Sequence, residues 1–144
     1  KFKEYVKNEE AEVIVVSAAI ESQIAEFDEP DEKAMFLEEY GLTESGLNKL
    51  IRASYHILDL ITYFTAGKQE VRAWTIQKGW KAPKAAGVIH TDFEKGFIKA
   101  EVIKLEDYQK YRTEQACKEA GKISIEGKEY VVKDGDIMHF RFNV

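Results

Sequence analysis

The sequence predicts an α+β fold, and three observations carry that reading. From Thr62 to Val144 the chain breaks into short segments in which β-favouring residues alternate with polar ones between Gly- or Asp-bearing turns, as strands with two unlike faces do. From Asp28 to Leu60 apolar residues instead recur at spacings of three and four, the helical period. One short apolar segment among the strands, Pro83–Ile89, suits a packing helix. Helices and strands are thus segregated along the chain rather than regularly alternated, which is the α+β pattern.

Taken in order, Phe2, Tyr5 and Val6 recur at helical spacing, and Val13–Val16 is a continuous apolar run of the kind found in strands covered on both faces. No partner strand is legible between it and Leu60, so it is expected to belong to a sheet whose other members are not in this sequence. The acidic cluster Asp28–Glu32 places Pro30 and carboxylates in a first helical turn, where they complement the exposed N–H groups. That helix should run to about Tyr40, with Gly41 beyond its end. Thr43 then caps a second helix with Leu47, Leu50, Ile51, Ser54, Tyr55 and Leu58 on one face, so that residues 28–60 form an antiparallel helical connector.

From Thr62 a first strand turns at Gly67–Lys68 into a second, residues 71–76, with Val71, Ala73 and Thr75 opposed to Arg72, Trp74 and Ile76. Gln77–Gly79 turns the chain into the short helix, where Pro83 is tolerated in the first turn and Ala85, Ala86, Val88 and Ile89 give an apolar face. Phe97–Ile103 alternates as a strand, and Leu105–Ala120 reads as helical or turn segments closing at Gly121. Short strands are expected at 122–125 and 129–132 around Gly127. Asp134–Gly135–Asp136 then turns the chain into a last strand, with Met138, Phe140, Phe142 and Val144 on one face and His139, Arg141 and Asn143 on the other. Several short strands, one main helix and a central C-terminal strand describe a ubiquitin-like β-grasp.

Composition narrows the function. The 144 residues are 44% hydrophobic and 33% charged, an ordinary balance for a chain with a buried core. The longest apolar run, residues 13–20, is too short to cross a bilayer, and the first ten residues are too charged for a signal peptide, so no membrane role and a cytoplasmic protein are expected. One cysteine excludes an internal disulfide, and His56, His90 and His139 sit on different elements without metal-ligand spacing. The net charge of −5 hides a polarity. Residues 1–60 carry six Lys and Arg against fourteen Asp and Glu, a balance of −8, whereas residues 61–144 carry fifteen against twelve, a balance of +3. Any nucleic-acid contact is therefore expected from the second half.

An NTPase needs a G-x-x-x-x-G-K-[ST] loop for the phosphates and a carboxylate-held Mg²⁺. The Gly-Lys pairs here, at residues 67, 121 and 127, are followed by neither Ser nor Thr, so the chain is expected to be catalytically inert alone. Around the His90–Asp92 string no nucleophile or oxyanion site is suggested; Thr91 is expected to cap a turn there and His90 to pack at the helix end. The residues with chemistry to offer are Lys68, Arg72, Lys78, Lys81 and Lys84, with Trp74 and Trp80 between them. Cations neutralise phosphates and exposed rings stack on bases, the combination used on single-stranded or looped RNA, while the lysines serve equally well as solubilising charge. Trp74 is expected in the core. Trp80, in a Gly-Trp-Lys turn, is harder to bury and is the stacking candidate.

The strings YFTAG, EVRAWTI, AAGVIHTDFEKGFI and the ending YVVKDGDIMHFRFNV resemble the C-terminal region of the YchF group of Obg-like ATPases, P-loop proteins of the translation-factor GTPase class. The resemblance covers nearly the whole chain; Trp80 and Cys117 depart from the group's pattern. It implies a remnant of the nucleotide-binding domain at residues 1–27, a helical connector at 28–60 and a TGS domain, the β-grasp module of that class, at 61–144. It also implies that Ser17, Ala18 and Glu21, in an SAxxE pattern, lie beside the base of a nucleotide in the whole protein, and that ATP or GTP with Mg²⁺ serves that protein rather than this chain. The expected partner is the ribosome or RNA, reached through the TGS domain. The competing expectation is a stand-alone β-grasp module that binds RNA or protein with no nucleotide chemistry.

Overall fold

The computed structural model describes Val6, residues 12–67 and residues 70–143, and divides into two compact units, Lys1–Ile57 and Leu58–Val144. Phe2, Tyr5, Lys68 and Val144, named in the expectations above, lie outside the described residues.

In the first unit Val13–Val16 has no regular secondary structure, and Val15 is 74% exposed. The expected buried strand is not formed, because a strand exists only through hydrogen bonds to neighbours and no other strand of this unit is present among the described residues. Instead Ser17 caps a helix that sequence periodicity did not suggest, α1 (Ala18–Ile24), its Oγ accepting from the Ile20 N–H at 3.5 Å. Helix α2 (Pro30–Glu39) begins on its proline and ends at Tyr40, with Gly41 left-handed at φ +65°. Helix α3 (Gly46–Ile57) starts later than expected, because Ser45 and not Thr43 caps it by accepting from the Asn48 N–H at 3.1 Å. The expected apolar stripe of α3 is largely exposed at Leu47, Leu50 and Ile51; its buried residues are the small Gly46 and Ala53. Smallness is required at Gly46, where a Cβ would lie 2.8 Å from a Val16 methyl and 2.9 Å from the Glu21 carboxylate.

The second unit carries a five-stranded mixed sheet: β1 (Leu60–Ala66), β2 (Val71–Gln77), β3 (Phe97–Lys104), β4 (Ile123–Glu126) and β5 (Asp136–Phe142), in the order β2-β1-β5-β3-β4. The last strand is thus central, parallel to β1 and antiparallel to β3. Helix α4 (Ala82–Ile89) lies on one face, followed by α5 (Thr91–Lys95); α6 (Leu105–Tyr111) and α7 (Glu114–Glu119) connect β3 to β4. The strand expected at 129–132 reduces to one bridge, Lys81 opposite Val131, because the chain on the other side turns at once into α4. His90, not Thr91, caps α5, its Nδ1 accepting from the Asp92 N–H at 3.2 Å.

The core follows from strand alternation. Ile61 and Tyr63 of β1, Ile76 of β2, Ala100 and Val102 of β3, and Met138 and Phe140 of β5 project to one face, where Ala82, Ala85 and Ala86 let α4 approach closely. Tyr63 is fully buried and its hydroxyl donates to the Ala85 carbonyl at 2.9 Å, joining sheet to helix. Fully burying a side chain such as Met138 stabilises by roughly 1.5–3 kcal/mol.

One carboxylate is also in this core. Asp136, at the start of β5, is wholly buried and accepts from the Lys104 ammonium, from the Tyr130 hydroxyl at 2.6 Å and from the Lys133 N–H at 2.9 Å. It was expected as a turn residue; the turn belongs to Gly135, at φ +77°, and to Asp134, whose carboxylate accepts from the Thr62 N–H. Asp136→Ala leaves the ammonium and phenol without their acceptor and should cost about 3 kcal/mol, read as a lower urea midpoint. Alkali should act on the same region. Burial raises the pKa of Tyr63 far above its ordinary 10.0. Burial also raises that of Tyr130, helped by Asp136, while at Lys104 the bonds to Asp136 and Tyr130 outweigh a burial effect of opposite sign and leave the pKa raised. The unfolded chain gives up these protons first, so stability should hold through neutral pH and fall above about pH 10, as urea midpoints across that range will show.

Candidate nucleic-acid interface

Between Val71 and Thr91 the chain carries Arg72, Lys78, Lys81 and Lys84 and no carboxylate at all. The fold gathers this segment at one side of the second unit, because β2 is an edge strand and α4 follows it after a tight turn. Gly79, at φ +88°, makes that turn, and the Lys78 N–H is tied to the Asp59 carbonyl at 2.7 Å. Trp80 and Ala82 are held in turn by residues 130–132: the Val132 N–H donates to the Trp80 carbonyl, and the Ala82 N–H to the Tyr130 carbonyl. The cations at 78, 81 and 84 therefore stand on a fixed main chain.

Both tryptophans are half-buried against the core, and each carries a cation over its ring. The Arg72 guanidinium lies 4.2 Å from the Trp74 ring centre, and the Lys84 ammonium 3.9 Å from that of Trp80. The indole N–H groups are anchored as well, Trp74 to the Thr65 hydroxyl at 2.9 Å and Trp80 to the Gln77 amide oxygen at 3.3 Å. Arg72 and Trp74 meet because residues two apart share a strand face; Trp80 and Lys84 meet across the first turn of α4. Lys81 is engaged by Glu129 and Arg72 more loosely by Glu70 at 4.0 Å, whereas Lys78 is exposed in the turn. Lys68 lies outside the described residues.

Ser17, Ala18 and Glu21 belong to the first unit. Ser17 and Ala18 are exposed at the start of α1, but the Glu21 carboxylate is already used: it accepts from the Gly46 N–H at 2.6 Å and the Leu47 N–H at 3.4 Å, filling the donor end of α3. Among the described residues no group of acidic, His and Cys side chains could hold a metal ion, and no helix is long and apolar enough to cross a membrane. Sequence reasoning missed Thr65 and Gln77 as partners of the indole N–H groups, and Phe93 and Phe142 beside Trp74. Only the Gln77–Trp80 spacing of three could have signalled one of them.

Residues 60–143 match the family model YchF-GTPase_C, described as a protein of unknown function (DUF933). The chain belongs to the YchF family. It is 62% identical over 144 residues to the ribosome-binding ATPase YchF of Bacillus subtilis (strain 168), spanning 100% of this chain and 39% of that protein. It is 50% identical over 145 residues to Obg-like ATPase 1 of Gallus gallus, spanning 99% of this chain and 36% of that one. The structure of the Schizosaccharomyces pombe YchF GTPase superposes with a TM-score of 0.84 at 43% identity, covering 97% of this chain and 37% of that protein. The chain thus spans less than two fifths of the length of these relatives.

The Glu21 contacts yield a direct test. Glu21→Ala removes the acceptor from two N–H groups of α3 while leaving the Ser45 cap, and should cost about 1 kcal/mol, measured as loss of helical circular dichroism signal in urea.

Proposed function

We propose that this chain is the C-terminal part of a ribosome-associated YchF-type ATPase, in which residues 61–144 form a β-grasp TGS module that contacts RNA. The sheet order β2-β1-β5-β3-β4, with a hairpin first, a helix crossing one face and the last strand central, supports the β-grasp assignment. The observation that carries the RNA reading is the carboxylate-free segment 71–91, with its cations and two cation-capped tryptophans at an edge strand. The relatives' names, ribosome-binding ATPase among them, agree with a role on the ribosome. Residues 1–27 would be the end of the nucleotide-binding domain and 28–60 a connector. In that arrangement Ser17, Ala18 and Glu21 stand near the nucleotide base.

ATP or GTP with Mg²⁺ would be bound by the whole protein. The fit within this chain is poor: it carries no phosphate loop, and the Ser17 hydroxyl and Glu21 carboxylate are already used in helix capping. The purified chain should accordingly neither bind ATP at micromolar concentration nor hydrolyse it with Mg²⁺, and calorimetry with a phosphate-release assay checks both.

The RNA reading is tested by salt dependence. Each cation on a phosphate releases counterions, so Lys78→Ala, Lys81→Ala and Lys84→Ala combined should weaken single-stranded RNA binding and flatten the plot of log affinity against log salt. Trp80→Ala should weaken binding by about 1–3 kcal/mol with the slope nearly unchanged. Indifference of both correctly folded variants would remove this surface from consideration.

A further inference from the structure

We propose that a second base-binding subsite lies at the other end of β2, in a cleft between the ends of β1 and β5 walled by Trp74, Phe93 and Phe142. The inference rests on the RNA reading above and specifies where along the edge strand a nucleobase is received.

The cleft arises from sheet geometry. Strands β1 and β5 share a single register pair, Phe64 opposite Ile137. Where they part, an open cleft of about 520 Å³ lies among Thr65, Ala66, Trp74, Phe93, Phe140 and Phe142. Its walls are flat and fixed. Phe93 and Phe142 are stacked at 3.8 Å with 25° between their planes, so each ring holds the other in place, and Phe142 remains 37% exposed. The hydrogen bond to Thr65 sets the plane of Trp74. The Arg72 guanidinium above that ring is itself a planar cation on which a base can stack or a phosphate can rest.

Charge selects the occupant. The carboxylate on the cleft wall, Glu70, faces the Arg72 guanidinium at 4.0 Å, and the segment that follows carries only positive charge as far as Thr91. Fixed aromatic walls beside cations fit a base of single-stranded RNA, with its flat ring and its phosphate, better than the side chains of an apolar peptide. Distance fits as well: from Arg72 to Lys78 the strand spans about 20 Å, so one RNA strand running along β2 can lay one base in the cleft and pass its phosphates to Lys78, Lys81 and Lys84.

The test uses the complete 144-residue chain and a fluorescein-labelled single-stranded RNA of about eight nucleotides, within the usual site size. Phe93→Leu with Phe142→Leu keeps apolar volume while removing the rings. With the thermal midpoint preserved, this variant should bind about ten-fold more weakly with an unchanged salt slope, and RNA should shift the wild-type amide resonances of Thr65, Ala66 and Phe142. Should the double variant not fold, Phe142→Leu alone and the wild-type amide shifts decide. Undiminished affinity and unmoved amides, with the lysine variant still impaired, would overturn the cleft and leave the RNA reading intact. No RNA binding by the wild-type chain would overturn both. Shifts of the same amides by an extended apolar peptide but not by RNA would make the cleft a peptide groove and likewise overturn it.

Discussion

The buried carboxylate of Asp136 is the contact from which the second unit can be traced outward. It opens the central strand, pairs in register with Lys104 of β3, and holds Tyr130 through the phenol. The carbonyl of Tyr130 accepts from the N–H of Ala82, and Val132 bonds to Trp80, so the same anchor that seats β5 also sets where α4 begins. Burying an ion is unfavourable unless every lone pair finds a donor, and here three donors converge on it. A fully satisfied network of that kind specifies one arrangement of the loops around it. The positions of Lys81 and Lys84 are therefore a consequence of core chemistry two contacts away.

The edge of the sheet has the opposite character. Edge strands invite unwanted pairing, and cations are one of the usual protections. Arg72 and Lys78 at the ends of β2 serve that end whatever else they bind. The cation over each tryptophan goes further than protection requires. Each ring is half-buried at the surface, with its indole N–H bonded to Thr65 or Gln77 and a positive charge over its face.

Much of this architecture was legible because its causes are local. Strand alternation in residues 71–76 and 138–142, Pro83 in a first turn and Gly135 at a left-handed position act over a few residues, and the structure places strands, helix and turn there. The differences have non-local causes. Val13–Val16 has strand composition, yet a ladder needs partners. Thr43 and Ser45 are both capping types, Ser the stronger, and the start of α3 at Gly46 is also fixed by Glu21, twenty-five residues away in sequence. Asp136 followed turn statistics in the string Asp-Gly-Asp, and nothing local marks it as the acceptor for Lys104. The cations of the candidate interface were visible as a cluster. The aromatic neighbours Phe93 and Phe142 come together only through the fold.

The proposed RNA face is made of β2 and α4. Photo-crosslinking of a thiouridine-bearing single-stranded RNA to the complete chain, with the modified peptides mapped by mass spectrometry, tests it most directly. Crosslinks concentrated between Arg72 and Phe93 are expected. Crosslinks confined to the first unit, or to α6, α7 and β4, would contradict it.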